Sequence, residues 1–242
     1  MPGTPVPQAP TPVADSSHTI IDLTHPLANG KVPACCGHPC YSARLTFDLA
    51  SGDFANVHTL TLGSHTGTHI DAPYHFFLDG CTVDQLELST LCAAPAIVVD
   101  LRHKGAHDRI EWADLSAHAS HMRPGAVLLL CTGWSKYWAT PQYRDHPFLD
   151  PAAATRVMEM GVRVLGTDTL SPDEMTGDED TGEVHRVVLG KGGVIVENLT
   201  QLDELLDSRW RDPLVSLLPL NLAGCDGSPI RAVAWEGRRD GC

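Results

Sequence analysis

The segment from residue 64 to residue 76 has the sequence Ser-His-Thr-Gly-Thr-His-Ile-Asp-Ala-Pro-Tyr-His-Phe. Three imidazoles and one carboxylate within it occupy odd-numbered positions only: His65, His69, Asp71 and His75. Side chains at alternate positions of an extended chain point to the same face. The spacing therefore predicts that these four side chains lie together on one face of an extended segment.

The segment must also bend if these side chains are to share an ion. Residues four apart in a straight strand lie roughly 13 Å apart, whereas metal–nitrogen bonds are only ~2.0–2.1 Å long. Gly67 is the position where a bend costs least, because glycine has no Cβ and reaches positive φ freely. A helix would also bring His65 and His69 together, but Gly67 and Pro73 make a helix the weaker alternative.

Three interpretations of this cluster are open from the pattern alone. The side chains form a metal site, or a metal-free acid–base site of histidine and carboxylate, or they are structural residues that share a face by chance. Imidazole and carboxylate donors suit zinc, manganese or ferrous iron better than the metals that prefer thiolates. The metal site is the interpretation that the pattern favours.

Apolar runs on both sides of the cluster predict strands. Alternating apolar positions indicate strands at 44–49 and 57–62, and continuous apolar runs at 96–101 and 126–130 indicate buried central strands. Further strands are predicted at 19–23, 162–165, 194–196 and 214–222, before a polar carboxyl end.

Two helices are predicted between these strands, and a third is expected to end near 190–193. One covers 111–122, and the other begins with Asp150 as N-cap and Pro151 in its first turn and ends at Gly161. The elements together predict one α/β domain with a mixed sheet over residues 18–242. Residues 1–17 contain five prolines and few apolar residues, and we expect them to form a disordered tail.

Composition excludes several classes of function. The 242 residues carry a formal net charge of −13, which repels nucleic-acid phosphates and anionic lipid. No apolar run approaches the ~20 residues of a membrane span, and the amino terminus lacks the pattern of a secretory signal. The eight cysteines are scattered without a CxxC pair, which favours reduced thiols in a cytoplasmic protein over a zinc ribbon or a disulfide framework.

The string His-x-Gly-Thr-His-x-Asp-x-Pro-x-His resembles the signature of the cyclase-type metal-dependent hydrolases, which include kynurenine formamidases and isatin hydrolases. The similarity extends from about residue 20 to residue 233. It includes Ile-Asp-Leu-Thr at 21–24, Thr-Gly-Trp at 132–134, the stretch 166–173 and Val-Glu-Asn-Leu at 196–199. The resemblance implies a swivelling β/β/α fold and a homodimer or larger homo-oligomer.

The resemblance also implies a role for each site residue. His65 and His69 would bind a first metal ion, and Asp71 would bridge it to a second. His185 and Glu197, twelve residues apart as in the family, would complete the second site, with Glu197 as a further bridge. His75 matches the family's proton donor and acceptor. The implied cofactor is Zn²⁺ or Mn²⁺, as one or two ions.

The implied reaction is hydrolysis of a carbonyl–nitrogen bond in a small aromatic amide, N-formylkynurenine or isatin. Cys35 stands about where the formamidase branch has a tryptophan, which weakens the assignment to N-formylkynurenine. Phe76, Phe77, Trp134, Tyr137 and Trp138 are candidates for an aromatic wall instead, although side chains of these types more often belong to the core. Asp168 is expected to serve a turn rather than to support the site.

Two further interpretations stand beside the hydrolase. One is a catalytically inactive family member that acts as a regulatory or binding protein. The other is a thiol hydrolase that uses Cys225 in the sequence Gly-Cys-Asp-Gly-Ser at 224–228.

Overall fold

The computed structural model describes residues 19–33, 37–177 and 179–237. The predicted tail at 1–17 and Cys35 lie outside the described residues. Within the described ranges, nine strands form one mixed sheet and six more form three small two-stranded sheets. The strands are β1 (Ile20–Asp22), β2 (Ser42–Phe47), β3 (Val57–Thr61), β4 (His69–Asp71), β5 (Ala94–Asp100), β6 (Arg109–Ile110), β7 (Val127–Cys131), β8 (Phe148–Leu149), β9 (Val164–Thr167), β10 (Met175–Thr176), β11 (Glu179–Asp180), β12 (Val194–Glu197), β13 (Pro213–Ser216), β14 (Gly227–Pro229) and β15 (Val233–Glu236).

The large sheet has the strand order β1-β15-β13-β5-β7-β9-β12-β4-β14. Its four middle strands, β5, β7, β9 and β12, are parallel to their neighbours within this group. The strands on either side of this group pair with it in antiparallel fashion, β13 on β5 and β4 on β12. The predictions of a mixed sheet and of central strands at 96–101 and 126–130 are therefore confirmed, with bounds shifted by one or two residues.

Alternate side chains of the central strands fill two cores on opposite faces of the sheet. Leu129 of β7 and Val196 of β12 belong to one core, and Leu128 and Ile195 belong to the other. Because both faces are covered, the strands are apolar at almost every position, which is why the sequence shows continuous apolar runs there.

The helices are α1 (Trp112–Leu115), α2 (Pro151–Glu159) and α3 (Glu183–Gly190). The side chain of Asp150 accepts hydrogen bonds from the backbone N–H groups of Ala152 and Ala153 at 2.7 and 3.2 Å, which confirms the predicted N-cap. The predicted helix at 111–122 is α-helical only in α1 and continues as a 3₁₀ helix over Ser116–His121. This 3₁₀ segment buries no side chain, so little packing energy holds it in α-helical form.

The carboxyl-terminal region corrects two predictions. The predicted strand at 214–222 ends at Ser216, because Leu218 and Leu220 are exposed and Pro219 has no N–H to give to a sheet. The end of the chain is not merely polar, since it supplies both β14 and β15 to the large sheet. Strand β14 lies beside β4 at the sheet edge, in the immediate surroundings of the histidine segment. Among the described residues, no helix has the length and apolar character needed to span a membrane.

Candidate metal centre

The histidine segment is an interrupted strand with a bend at each end. Gly67 has φ of +67°, so the predicted bend lies at the predicted glycine. His69 and Asp71 follow on β4, where their side chains share one face, and a 3₁₀ turn from Pro73 to His75 ends the segment. These bends bring together the four side chains, which a straight strand would hold too far apart to share an ion.

Two later elements bring His185 and Glu197 to the same place. In the antiparallel pair of β12 and β4, Glu197 lies directly opposite His69. The carboxylate of Glu197 is 3.3 Å from His69 Nε2 through Oε2 and 3.3 Å from His185 Nε2 through Oε1. Asp71 lies between the histidines, with Oδ1 3.2 Å from His69 Nε2 and Oδ2 3.6 Å from His185 Nε2.

We call His69, Asp71, His185 and Glu197 the inner side of the site, because each is less than 10% exposed. Three of its atoms, His69 Nε2, Asp71 Oδ2 and Glu197 Oε1, are buried without a hydrogen-bond partner. Such atoms cost free energy unless something pairs with them. These atoms belong to residues that converge on one point, and a nitrogen and two carboxylate oxygens are donors that Zn²⁺ and Mn²⁺ accept. The residues present therefore fit a divalent cation.

The remote ring nitrogens of three histidines are held by acceptors. His69 Nδ1 donates to the carbonyl oxygen of Gly67 at 2.8 Å, His185 Nδ1 to Asp173 Oδ2 at 2.6 Å and His65 Nε2 to Asp226 Oδ2 at 2.8 Å. These bonds leave Nε2 of His69 and His185, and Nδ1 of His65, turned toward the carboxylates of the site. Acceptors behind metal-binding histidines fix the ring orientation in this way.

The charged side chains of the inner side shift one another's pKa values. Burial raises the pKa of Glu197, and the neighbouring charge of Asp71 raises it further. Burial alone would also raise the pKa of Asp71, but His69 and His65 hold it well below its usual range. Burial opposes protonation of His185, yet its hydrogen bond to Asp173 and the nearby carboxylates of Asp71 and Glu197 raise its pKa well above the ordinary value. A bound cation would compete with these protons, so its binding would release protons.

His65, His75 and Asp226 form the outer side of the site, with side chains that are 11–35% exposed. Asp226 Oδ2 is 3.2 Å from His75 Nδ1, and the rings of His65 and His75 lie 4.0 Å apart. Burial lowers the pKa of His75 to about 4. A cavity of about 300 Å³ opens here, lined by His38, Pro39, Gly63, Ser64, His65, Thr66, His75 and Asp226. Its volume is at the lower end of the range for small-molecule sites.

The candidate aromatic wall is not assembled at the site, and the alternative of a core role applies to Trp134, Tyr137 and Trp138. Phe76 stacks on the ring of His185 at 4.9 Å, but Trp134 is buried in a separate cluster with Tyr143. Trp138 stacks on His25 at 4.1 Å instead. Of the five candidates, Phe76 is the one whose ring contacts a site histidine.

Asp168 serves a turn, as expected. Its buried carboxylate accepts hydrogen bonds from the backbone N–H groups of Thr132 and Gly133 and from the Thr132 hydroxyl, at 2.5–2.9 Å. These bonds join the loop that follows β7 to the loop that follows β9.

Two carboxylates of the site, Asp173 and Asp226, had no role in the sequence analysis. Asp173 also accepts hydrogen bonds from the backbone N–H groups of Val184 and His185, at the start of α3. The available signal for Asp173 was its place in the stretch 166–173, which is part of the family resemblance. Asp226 stood in the Gly-Cys-Asp-Gly sequence that had been considered for its cysteine.

Comparison with known proteins gives concordant results. The sequence model of the family described as "Putative cyclase" matches residues 21–174. A kynurenine formamidase of Delftia acidovorans is 30% identical over 208 residues, which are 86% of this chain and 93% of that protein. A kynurenine formamidase of Geobacillus thermodenitrificans is 33% identical over 217 residues, covering 88% of this chain and 95% of that protein.

Solved structures agree on the fold. Isatin hydrolase A from Ralstonia solanacearum superposes with a TM-score of 0.82 at 22% identity, covering 96% of this chain and all of that chain. An isatin hydrolase bound to the product analogue thioisatinate gives a TM-score of 0.80 at 21% identity, covering 92% and 94%. The expected fold type is therefore confirmed.

Proposed function

This chain belongs to the cyclase family of hydrolases, and on that premise we propose that it is a metal-dependent arylformamidase. The substrate that we propose is N-formylkynurenine, hydrolysed to kynurenine in tryptophan catabolism. Support comes from the two formamidases that are at least 30% identical over most of their length. The observation that carries the proposal is the convergence of unpartnered donor atoms on the inner side of the site.

We propose that His65, His69 and Asp71 hold one divalent ion and that Asp71, His185 and Glu197 hold a second. A donor set of imidazoles and carboxylates without thiolate suits Zn²⁺ or Mn²⁺. When bound, such an ion lowers the pKa of water and polarises a carbonyl group.

His75 is the proposed acid–base residue. An amine leaves a tetrahedral centre poorly unless it is protonated, so the reaction needs a group that takes up a proton and then delivers it. His75 adjoins His65 and lines the cavity of the outer side. Because its Nδ1 faces Asp226, Nε2 is the nitrogen that remains for exchange with substrate.

The proposal is tested by metal analysis of the purified protein together with assays on N-formylkynurenine and isatin. We expect about one or two equivalents of Zn²⁺ or Mn²⁺ and hydrolysis of the formamide that stops when the metal is removed. Hydrolysis of isatin alone would move the protein to the isatin hydrolase branch. Full metal content without hydrolysis of either compound would support the inactive regulatory or binding protein.

We also propose that the enzyme is a cytoplasmic homodimer. The hairpin of β2 and β3 stands outside the large sheet and exposes Leu45, Phe47, Phe54 and Leu60. Apolar side chains clustered on an exposed hairpin are typical of a protein–protein contact. Light scattering coupled to size-exclusion chromatography tests the subunit number, with a monomer mass of 26.1 kDa as the reference, and cell fractionation tests the location.

A further inference from the structure

We propose that Asp226 is a positioning residue that orients His65 and His75 together through a single carboxylate oxygen. Oδ2 of Asp226 lies 2.8 Å from His65 Nε2 and 3.2 Å from His75 Nδ1. One carboxylate thereby links a candidate metal ligand to the candidate acid–base residue. This inference rests on the proposed function for the role of His75. Asp226 lies beyond residue 174, where the match to the family model ends.

The carboxylate dictates which ring nitrogens carry hydrogen. An ionised carboxylate only accepts hydrogen bonds, so each nitrogen that faces it must be N–H. His65 is thereby fixed with Nε2–H toward Asp226. Its Nδ1 lies 2.6 Å from Asp71 Oδ1 and by the same rule is N–H as well, so a cation bound there would displace that proton while the Nε2–H bond to Asp226 stays. His75 is fixed with Nδ1–H, which leaves the lone pair of Nε2 for a proton from substrate or water. Without Asp226, both rings could rotate or change tautomer, and the site would spend less time in the working arrangement.

Asp226 is built into the sheet edge rather than carried on a free loop. Its carbonyl oxygen accepts a hydrogen bond from Ala72 N at 2.9 Å. The next residue, Gly227, pairs with Asp71 in the register of β14 and β4. A Cβ on Gly227 would lie 2.9 Å from His65 Cε1 and 2.9 Å from the carbonyl oxygen of Ile70. This close approach is open to glycine alone, and the neighbouring carboxylate lies within hydrogen-bond distance of both rings.

The charged neighbours of Asp226 are the two histidines, and the Ser64 side chain also hydrogen-bonds to its carboxylate. Within the described residues, its ion-pair partners within 4 Å are His65 and His75. Its side chain is 35% exposed and lines the cavity of the outer side. The carboxylate therefore lies near the place where a substrate would enter. Its ion-pair partners among the described residues include no lysine or arginine that would compete with the histidines for it.

The decisive variant is Asp226→Asn, which keeps the size of the side chain and removes its charge. The matched control is Asp84→Asn, the same chemical change at another anchor of the same turn, where Asp84 Oδ1 accepts a hydrogen bond from Gly224 N at 3.0 Å. Three quantities are measured in both variants: kcat and KM, the affinity of the metal-stripped protein for Mn²⁺ by calorimetry, and the histidine tautomers by ¹⁵N NMR. The His75 signals are assigned by their loss in His75→Asn.

We expect Asp226→Asn to lower kcat about 10–100-fold with KM changed less than about threefold, and to weaken Mn²⁺ binding about tenfold. We also expect the Nδ1–H tautomer of His75 to lose its dominance. Asp84→Asn should leave all three within about twofold. Unchanged His75 tautomer and unchanged kcat in Asp226→Asn would overturn the inference, and so would equal losses in both variants, because the turn rather than the carboxylate would then be responsible.

Failure of the proposed function gives a different result. If the unaltered protein hydrolyses none of the amides, the function fails, while Mn²⁺ affinity and the tautomer of His75 still measure what Asp226 does. A protein that is inactive but loses Mn²⁺ affinity and the Nδ1–H tautomer in Asp226→Asn would support the positioning role alone. An active protein in which Asp226→Asn changes neither would retain the function and refute the positioning role.

Discussion

The inner and outer sides of the site are built on different kinds of structure. The inner side stands on β4, β12 and α3, and its four side chains are buried. The outer side stands on a bend, a 3₁₀ turn and the turn before β14, and its three side chains are partly exposed. Rigid elements thus carry four of the five proposed metal ligands, whereas a bend carries the fifth, His65, and turns carry His75 and Asp226, which line the cavity. The difference predicts that metal binding and turnover can be separated by mutation.

The largest effect is expected from Asp71→Asn on the inner side. Asp71 contributes to both candidate ion positions. A cation in a buried site needs negative charge to offset the free-energy cost of its desolvation, and Asp71→Asn removes one such charge. We expect loss of all measurable metal and a fall in turnover of at least about 1,000-fold, of the size found when a catalytic group is removed. Elemental analysis and the formamide assay measure both quantities.

The control for this variant is Asp207→Asn, which makes the same change at a carboxylate on the surface. It should retain both metal and activity. Full metal content in Asp71→Asn would mean that the ions bind elsewhere, and the distinction between the two sides would then have no basis.

The second largest effect is expected from His75→Asn on the outer side. Removing a general acid–base group costs about 10²–10⁴-fold in kcat. Because His75 is absent from the inner side, metal content should stay within error of the unaltered protein. His121→Asn, at an exposed histidine outside the site, provides the control. A variant that lost metal and activity in parallel would place His75 among the ligands.

A smaller effect is expected from Asp173→Asn, which acts on the inner side through His185. Replacing the carboxylate behind a ligand histidine weakens metal binding about 10–100-fold. Asp168→Asn is a matched control, because Asp168 is equally buried and lies in the same stretch of chain but bonds to Thr132 and Gly133.

The two variants should separate stability from metal affinity. Asp168→Asn should lower the free energy of unfolding and leave the metal affinity of the folded protein unchanged, as calorimetry of each variant would measure. Equal affinities in the two variants would show that Asp173 merely stabilises the fold.

The local pattern predicted the histidine segment, which supplies two residues to each side of the site, better than the residues that join it from later in the chain, for a physical reason. His65 to His75 lie within eleven residues, so the period of an extended chain and the freedom of Gly67 were enough to indicate a shared face and a bend. His185 and Glu197 came from the family spacing, because no local rule states that β12 pairs with β4. That pairing is set by contacts between residues more than 120 positions apart.

Asp226 shows where local patterns end. Its turn precedes a three-residue strand, Gly-Ser-Pro, that has no apolar alternation and was therefore assigned to a polar carboxyl end. The strand exists because β4 offers it an edge and Gly227 allows the close approach. The central strands, by contrast, were predicted from their continuous apolar runs alone, because burial on both faces of the sheet requires apolar residues throughout.

Acid is expected to lower the stability of the protein through the buried His146. Burial lowers the pKa of His146 to about 4, and among the charges that act on it are His107, Asp145 and Asp173, the last of which holds His185. The folded state therefore favours neutral His146, whereas the unfolded state protonates it near pH 6.5. Stability is fully present above pH 6.5 and falls as the pH decreases toward 4.

The size of this effect follows from the pKa difference. At pH 5.5, protonation of His146 in the unfolded state lowers the free energy of unfolding by about 1.4 kcal/mol, a tenfold change in the unfolding equilibrium. Denaturant titrations at pH 7.5 and 5.5 measure how much the free energy of unfolding falls in acid. This fall should be smaller by about that amount in His146→Gln than in the unaltered protein. His118→Gln, at a histidine without the same burial, should not change the loss. An identical loss in His146→Gln would show that other groups cause the acid sensitivity.

The smallest effect is expected from Cys225→Ala, next to Asp226 on the outer side. The Cys225 side chain packs against the large core, and its backbone carbonyl accepts a hydrogen bond from Val83 N at 2.8 Å. The side chain is absent from the lining of the cavity that His65, His75 and Asp226 share. We therefore expect kcat to change less than about twofold in Cys225→Ala, while Asp226→Asn, one residue away, lowers it strongly. Loss of turnover in Cys225→Ala with metal retained would instead support the thiol hydrolase, with Cys225 as a nucleophile on the outer side of the site.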